Sequence, residues 1–166
     1  MSFVLREDEA AIAAIAPGGI ALLTERATTT FDRDDLTEEQ RAANRRVVAI
    51  STGCCEDAAR NSHQYFAAGF TDEGALAGYV IATRHGPDDH ELDWLMVAPE
   101  HHGSALSRLL MEAGVDWLGR DRPMWLNVIR FNARAIAFYM KFGFAVDPDA
   151  RTAHAVPHFI MRRPPD

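Results

Sequence analysis

The run Asp93–Met111, D-W-L-M-V-A-P-E-H-H-G-S-A-L-S-R-L-L-M, constrains this chain most. An apolar, strand-like stretch is stopped by Pro99 and crosses a loop of mostly small residues, His102-Gly103-Ser104-Ala105-Leu106-Ser107. It then enters a helical pattern whose apolar positions Leu106, Leu110, Ala113 and Trp117 keep to one face. A strand feeding directly into a helix is an α/β element. The first N–H groups of such a helix lack partners inside it, and the helix dipole adds partial positive charge there. Small side chains let an anion approach that backbone. Arg108, near the first turn, would add a charged contact. The loop is neither a Walker loop nor a dinucleotide fingerprint, because it has one glycine and no Gly-Lys-Ser/Thr. A plain strand–loop–helix corner and an anion cradle both satisfy the pattern.

The rest of the chain extends this corner into an α/β domain. Residues 7–27 read as helix, split by Pro17-Gly18-Gly19. Thr28–Asp35 reads as loop. Leu36–Ser51 reads as a second helix, with a Thr37/Gln40 capping box at its start and Gly53 as its C-terminal cap. His63–Phe70 and Ala75–Arg84 read as a hairpin around Thr71-Asp72-Glu73-Gly74, and Glu91–Ala98 as a third strand. A helix at Ser104–Leu118 ends at Gly119. Met124–Ile129 is a strand, Asn132 caps a helix running to Phe142 with Gly143 beyond it, and Phe144–Val146 and His158–Arg162 are short final strands. The predicted fold is α/β, a mixed central sheet flanked by N-terminal helices and two later helices. At 166 residues and without a low-complexity linker, the expectation is one domain, 1–166.

Charge narrows the function. The net charge of −7 lies in residues 1–90, which hold 15 acids and 8 bases, whereas residues 91–166 hold 9 of each. Phosphate neutralisation needs a basic surface, so a nonspecific nucleic-acid role is not expected. An acidic half either solvates the protein or attracts a cationic ligand. No apolar run reaches the length of a membrane span, and Ala10–Leu23 follows Glu7, Asp8 and Glu9, the wrong charge for a signal peptide. Cys54 and Cys55 are adjacent and belong to no spaced Cys/His set, so the expectations are a reduced cytoplasmic protein and no metal.

Two motifs resemble the GNAT superfamily of acyl-CoA-dependent N-acyltransferases. The family pattern V-x-P-x-x-(Gln/Arg)-G-x-G-x-(Gly/Ala) lies over Val97-Ala98-Pro99-Glu100-His101-His102-Gly103-Ser104-Ala105-Leu106-Ser107. The pattern N-x-x-A-x-x-F-Y-x-K-x-G-F lies over Asn132–Phe144 and is complete at every specified position. His102, Ala105 and Ser107 depart from the first pattern. Alanine at 105 is tolerable unless the backbone there needs a positive φ. His102 would be only a weak phosphate donor at neutral pH. The departures imply weaker CoA binding than in members with the full pattern. The resemblance covers roughly residues 60–162, so 61–166 would form the sheet and acyl-CoA-binding core and 1–60 a helical substrate-side region.

The resemblance also implies roles. Backbone groups of Leu95, Met96 and Val97 would hold the pantetheine arm, with strand N–H groups near Met96 or Val97 on the polarised carbonyl. N–H groups of His102, Gly103, Ser104, Ala105, Leu106 and Ser107, with Arg108, would cradle the pyrophosphate. Asn132 and Ala135 would line the same site, and Tyr139 would protonate the leaving thiolate. An alkyl ammonium with pKa near 10 must lose a proton before it attacks, so a carboxylate base is needed. Asp93, four residues before Val97, is the favoured base. Glu91 shares its strand face and is the second candidate. The implied reaction is direct transfer of an acetyl group from acetyl-CoA to a primary amine of a small molecule or protein. The acidic N-terminal region favours a cationic acceptor such as a polyamine or aminoglycoside-like amine, with Thr28–Asp35 lining its pocket. An exposed sheet edge would support a homodimer. The altered glycine pattern keeps a rival open, a noncatalytic acyl-CoA-binding module or an interaction domain.

Overall fold

The computed structural model describes residues 1–166, except the side chain of Phe31. The elements are β1 (Phe3–Glu7), α1 (Asp8–Ala14), α2 (Gly19–Thr28), α3 (Glu38–Arg60), β2 (Gln64–Thr71), β3 (Leu76–Gly86), β4 (Asp89–Val97), α4 (Ala105–Leu118), β5 (Met124–Ile129), α5 (Ala133–Met140), β6 (Ala145–Val146) and β7 (His158–Arg163). Short 3-10 turns occupy Thr29–Phe31 and Pro99–His101. The seven strands form one sheet in the order β1-β2-β3-β4-β5-β7-β6, in which β4 and β5 run parallel and every other pair antiparallel.

Period-2 alternation splits the strand residues between two apolar layers. Tyr65, Ala67, Val80 and Ala82 face α4, whose Leu106, Leu110, Met111, Val115 and Leu118 cover them. Phe66, Ala68, Phe70, Tyr79 and Ile81 face the opposite way, onto Ala11 of α1, Ile20 and Leu23 of α2, and Cys55, Ala58 and Ala59 of α3. Gly114 lets α4 press against the sheet, since a Cβ there would sit 2.7 Å from Leu92 Cδ1.

Three sequence expectations are corrected. Strand β1 lies where residues before 7 suggested nothing, and Phe3–Glu7 pairs with Ala67–Thr71 of β2. Gly53 does not end α3, which continues to Arg60. A glycine inside a helix costs about 1 kcal/mol relative to alanine. The buried Ser51, Cys55, Ala58 and Ala59 anchor the turns on both sides of Gly53, and that burial outweighs the cost. Thr28–Asp35 is only partly loop, because Thr28 closes α2 and Thr29–Phe31 form a 3-10 turn. Local capping follows the sequence more closely. Thr37 and Gln40 form a reciprocal capping box, Ser104 Oγ accepts from Leu106 N–H, and Asn132 Oδ1 accepts from Ala135 N–H.

Among the described residues, no single helix is long and apolar enough to cross a membrane. The α4 layer carries much of the stability. Leu110 has 0% exposure and Leu22 58%. Leu110→Ala is therefore expected to lower the unfolding free energy by about 2–5 kcal/mol, and Leu22→Ala to stay within about 0.5 kcal/mol of wild type. Denaturant titration reads both, and equal losses would contradict the layer assignment.

Candidate active site

The site originates in an interrupted strand pair. β4 and β5 are in register only at His90↔Met124 and Glu91↔Trp125. Beyond that point β4 stays with β3 and β5 with β7, so the parallel pair splays open. The gap leaves two clefts, one on each side. The first, about 540 Å³, is lined by Leu95, Met96 and Val97 of β4, His102–Ala105, Ser107 and Arg108 of the loop and α4, and Asn132, Arg134, Ala135 and Tyr139 from the α5 side. The second, about 440 Å³, is floored by Glu91, Asp93 and Trp94 and walled by α3 and by His154–Val156. Leu95, Met96, Asn132, Ala135 and Tyr139 line both, so the clefts meet at those residues.

Register decides which strand groups face the gap. Ala98 N–H donates to Ala77 C=O at 2.9 Å. Antiparallel pairing alternates, so two residues earlier the Met96↔Tyr79 pair is also hydrogen-bonded. The N–H groups of Leu95 and Val97 therefore point away from β3, into the splay. Met96, expected to offer its N–H there, has it turned toward β3.

The loop ahead of α4 is selective about its donors. The N–H groups of His102 and Ser104 close turns onto Pro99 and His101, and that of Leu106 is taken by Ser104 Oγ. Gly103, Ala105 and Ser107 keep N–H groups without partners among the described residues, and all three line the first cleft. Gly103 has φ +77°, a region glycine enters without strain, and among the described non-glycine residues Asp8 alone has a positive φ. Ala105 therefore sits in ordinary helical backbone, and losing a glycine there carries no conformational penalty. Leu106, expected as a cleft residue, has 0% exposure and belongs to the core.

His102 is corrected in role. Its Nε2 lies 3.1 Å from the Val97 carbonyl, and Arg134 donates to its Nδ1 at 3.0 Å. These partners assign a neutral ring that donates from Nε2 and has no free N–H for a phosphate. Burial, and then the Arg134 charge, hold its pKa below the usual histidine value. His102 thus ties the loop to β4 and to Arg134 at the cleft rim, while Arg108 reaches toward Glu112 at 3.9 Å from the exposed face of α4.

The second cleft has an acidic floor. Pairing shifts between Ile81↔Trp94 and Ala82↔Leu92, so Asp93 is the extra residue of a β-bulge. The Asp93 and Glu91 carboxyls lie side by side there. Asp93 accepts from Thr83 Oγ1 at 3.0 Å, and Glu91 Oε1 lies 2.8 Å from His85 Nε2. Glu91 is 7% exposed. Burial, and then the Asp93 carboxylate, push its pKa up to about 7, against the pull of His85. Burial also raises Asp93, opposed by the Thr83 hydrogen bond. Tyr139, packed edge-on against Phe138 and Phe144 at 5.6 and 6.4 Å, is pushed up to about 12 by burial and stays a phenol at neutral pH.

Among the described residues of the expected pocket loop Thr28–Asp35, Thr28 alone lines the second cleft. Its walls are Ala43, Val47 and Ile50 of α3, which lies in the helical stretch expected on the substrate side, and the stretch around His154, for which the sequence offered no signal. Spacing of 43, 47 and 50 is a helical stripe indistinguishable in sequence from a packing face. Gln40 Nε2 donates to Ala155 C=O at 3.2 Å and ties the two walls together. Among the described residues no group of three His, Cys, Asp or Glu side chains is placed to hold a metal.

Comparison with known proteins agrees with this arrangement. The model of the acetyltransferase (GNAT) family matches residues 23–144. An uncharacterized N-acetyltransferase of Mycobacterium tuberculosis is 35% identical over 99 residues, 55% of this chain and 62% of that protein. The streptothricin acetyltransferase of Streptomyces lavendulae is 34% identical over 77 residues, 44% of this chain and 40% of that one. The chain thus spans less than two thirds of the length of these relatives. The PaiA N-acetyltransferase of Thermoplasma acidophilum, crystallised with coenzyme A, shares the fold at TM-score 0.77 over 99% of each chain, with 18% identity. A family match over most of the chain, on a splayed sheet with an anion-ready loop, places this protein in the acetyltransferase (GNAT) family.

Proposed function

We propose that the protein transfers the acetyl group of acetyl-CoA to a primary amine on a small cationic acceptor. The observation that carries the reading is the meeting of two chemically opposite clefts across the β4–β5 splay. One offers three unpartnered N–H groups at a helix start, and the other a buried carboxylate pair. Acetyl-CoA would supply the activated thioester carbonyl. Gly103, Ala105 and Ser107 N–H groups, with Arg108, fit its phosphates, and the outward-facing Leu95 and Val97 fit an extended amide-bearing arm. Asn132 spends its carbonyl oxygen on the α5 cap and keeps its amide N–H₂ for that arm.

On the acceptor side, a cation is drawn to the floor of the second cleft. Glu91, held near neutrality beside Asp93, takes one proton from the ammonium, and the freed lone pair attacks the carbonyl carbon. The two carboxyls share this work as a coupled pair. The Leu95 or Val97 N–H meets the oxygen where charge develops. Tyr139, which lines both clefts, gives its proton to the departing sulfur. The likeness to streptothricin acetyltransferase and the acidic floor together direct the first acceptor trial to streptothricin, with polyamines and aminoglycosides beside it.

Acetyl-CoA at about 100 times its Kd should stabilise the fold by roughly 2.7 kcal/mol in a melting experiment. No shift at millimolar concentration would remove the reading. Thiol release is expected with one class of cationic amine, and Tyr139→Phe should lower kcat by about 10²–10⁴-fold while leaving the acetyl-CoA-dependent melting shift in place.

Because the amine arrives protonated, kcat/KM should depend on the ionised fraction of the Glu91 pair. It is expected to fall about tenfold per unit as pH drops below about 7. Glu91→Gln should lower the plateau and abolish that inflection. An unchanged inflection in the variant would move the base elsewhere.

A further inference from the structure

Acetyl transfer to an ammonium releases one proton more than the site can keep. The C–N bond forms, the C–S bond breaks, and the sulfur leaves as a neutral thiol. The balance is RNH₃⁺ plus thioester giving amide, thiol and H⁺. With Tyr139 returned to its phenol, the surplus proton rests on the Glu91/Asp93 pair. Glu91 is 7% exposed, and its open side is the cleft that the acceptor and then the amide product fill. The pair needs a second way out before the next turnover.

We propose that His85 is that outlet, a positioning residue that carries the proton from Glu91 to solvent behind the acceptor cleft. This rests on the acetyl-transfer reading above. His85 Nε2 is 2.8 Å from Glu91 Oε1, and its side chain is 42% exposed, so the ring touches both the buried acid and water. It does not line either cleft, so bound ligands leave it open. A stacking contact fixes the ring. It stacks on Trp125 at 6.0 Å and 22°, and Trp125 is pinned in turn by its Nε1–H to Asp89 Oδ1 at 2.6 Å.

The charged groups around His85 all favour its cationic form. Asp89, Glu91 and Asp93 face it from β4, and Trp125 is its neutral neighbour on β5. Arg84 turns its guanidinium away, over the ring of Trp117 and onto the Trp117 carbonyl. His85 accordingly titrates above the ordinary histidine value, chiefly through the Glu91 hydrogen bond. The 2.8 Å separation of Glu91 Oε1 and His85 Nε2 is a hydrogen bond along which the proton can pass either way. The imidazolium then loses its Nδ1 proton to water, and exchange with water restores the accepting tautomer.

The test is His85→Gln, whose amide still donates to Glu91 but cannot carry a proton, beside His85→Ala. With wild-type turnover as reference, both variants should lower kcat about 100-fold, the low end of what a positioned proton acceptor contributes. Both should keep the wild-type melting shift with acetyl-CoA. Small buffer bases should restore His85→Ala in the order of their pKa values. In the unliganded protein, Glu91→Gln should lower the pKa of His85 read by NMR. Wild-type kcat in His85→Gln, loss of kcat that no buffer restores, or an unmoved His85 pKa would each overturn the relay. Absence of thiol release in the wild type would instead sink the acetyltransferase reading, and the relay with it.

Discussion

Parallel pairing between β4 and β5 stops after two residue pairs, and the rest of the site depends on that stop. A continued ladder would consume the Leu95 and Val97 backbone groups and close the sheet between the two clefts. The sheet tolerates the interruption because each strand keeps its other neighbour, β3 on one side and β7 on the other. Both apolar layers therefore stay intact while a few strand N–H groups remain unpaired within the protein. An unpaired backbone donor away from water carries a cost. On the proposed reading that cost is the condition for binding, since an extended ligand completing the gap would satisfy the donors.

Electrostatics divides the gap. On the α4 side, the start of a helix presents N–H groups with Arg108 and Arg134 at the rim. On the α3 side, Glu91 and Asp93 are held so close that their charges resist coexistence, and burial reinforces this. In the proposed reaction, an anion on one face and a cation on the other would meet at Tyr139. The neutral His102 fits this division. Its ring braces the loop, and the charge expected at its position stands on Arg134 instead.

Much of this was legible in the sequence, for physical reasons. Helix starts are written in short side chains, so Thr37, Ser104 and Asn132 marked three of them. Strand β5 was readable to the residue because its mostly apolar run lies between Pro123 and Arg130. The acids, Tyr139 and the loop stood out as candidates because their residue types carry a chemistry. The β-bulge left no mark. After Asp93 the strand is apolar at every position, Trp94 through Val97, so a shift in register changes no hydrophobic pattern. Register in turn determines that Leu95 and Val97, and not Met96, face the gap. Strand β1 was too short to announce itself, and Gly53 misled because a local stop signal yielded to burial around it. His85 was invisible as a partner of Glu91, since only the β3–β4 pairing brings residues 85 and 91 together.

The Gln40 side chain joins two events that are separate in sequence. Its Oε1 accepts the Thr37 N–H at 2.9 Å, completing the first turn of α3, and its Nε2 holds the Ala155 carbonyl across the second cleft. Helix ends are where local opening is easiest. Fraying of that turn would therefore also release the tie across the second cleft. On the proposed reading, the breathing of a helix end would set how often an acceptor finds the door ajar.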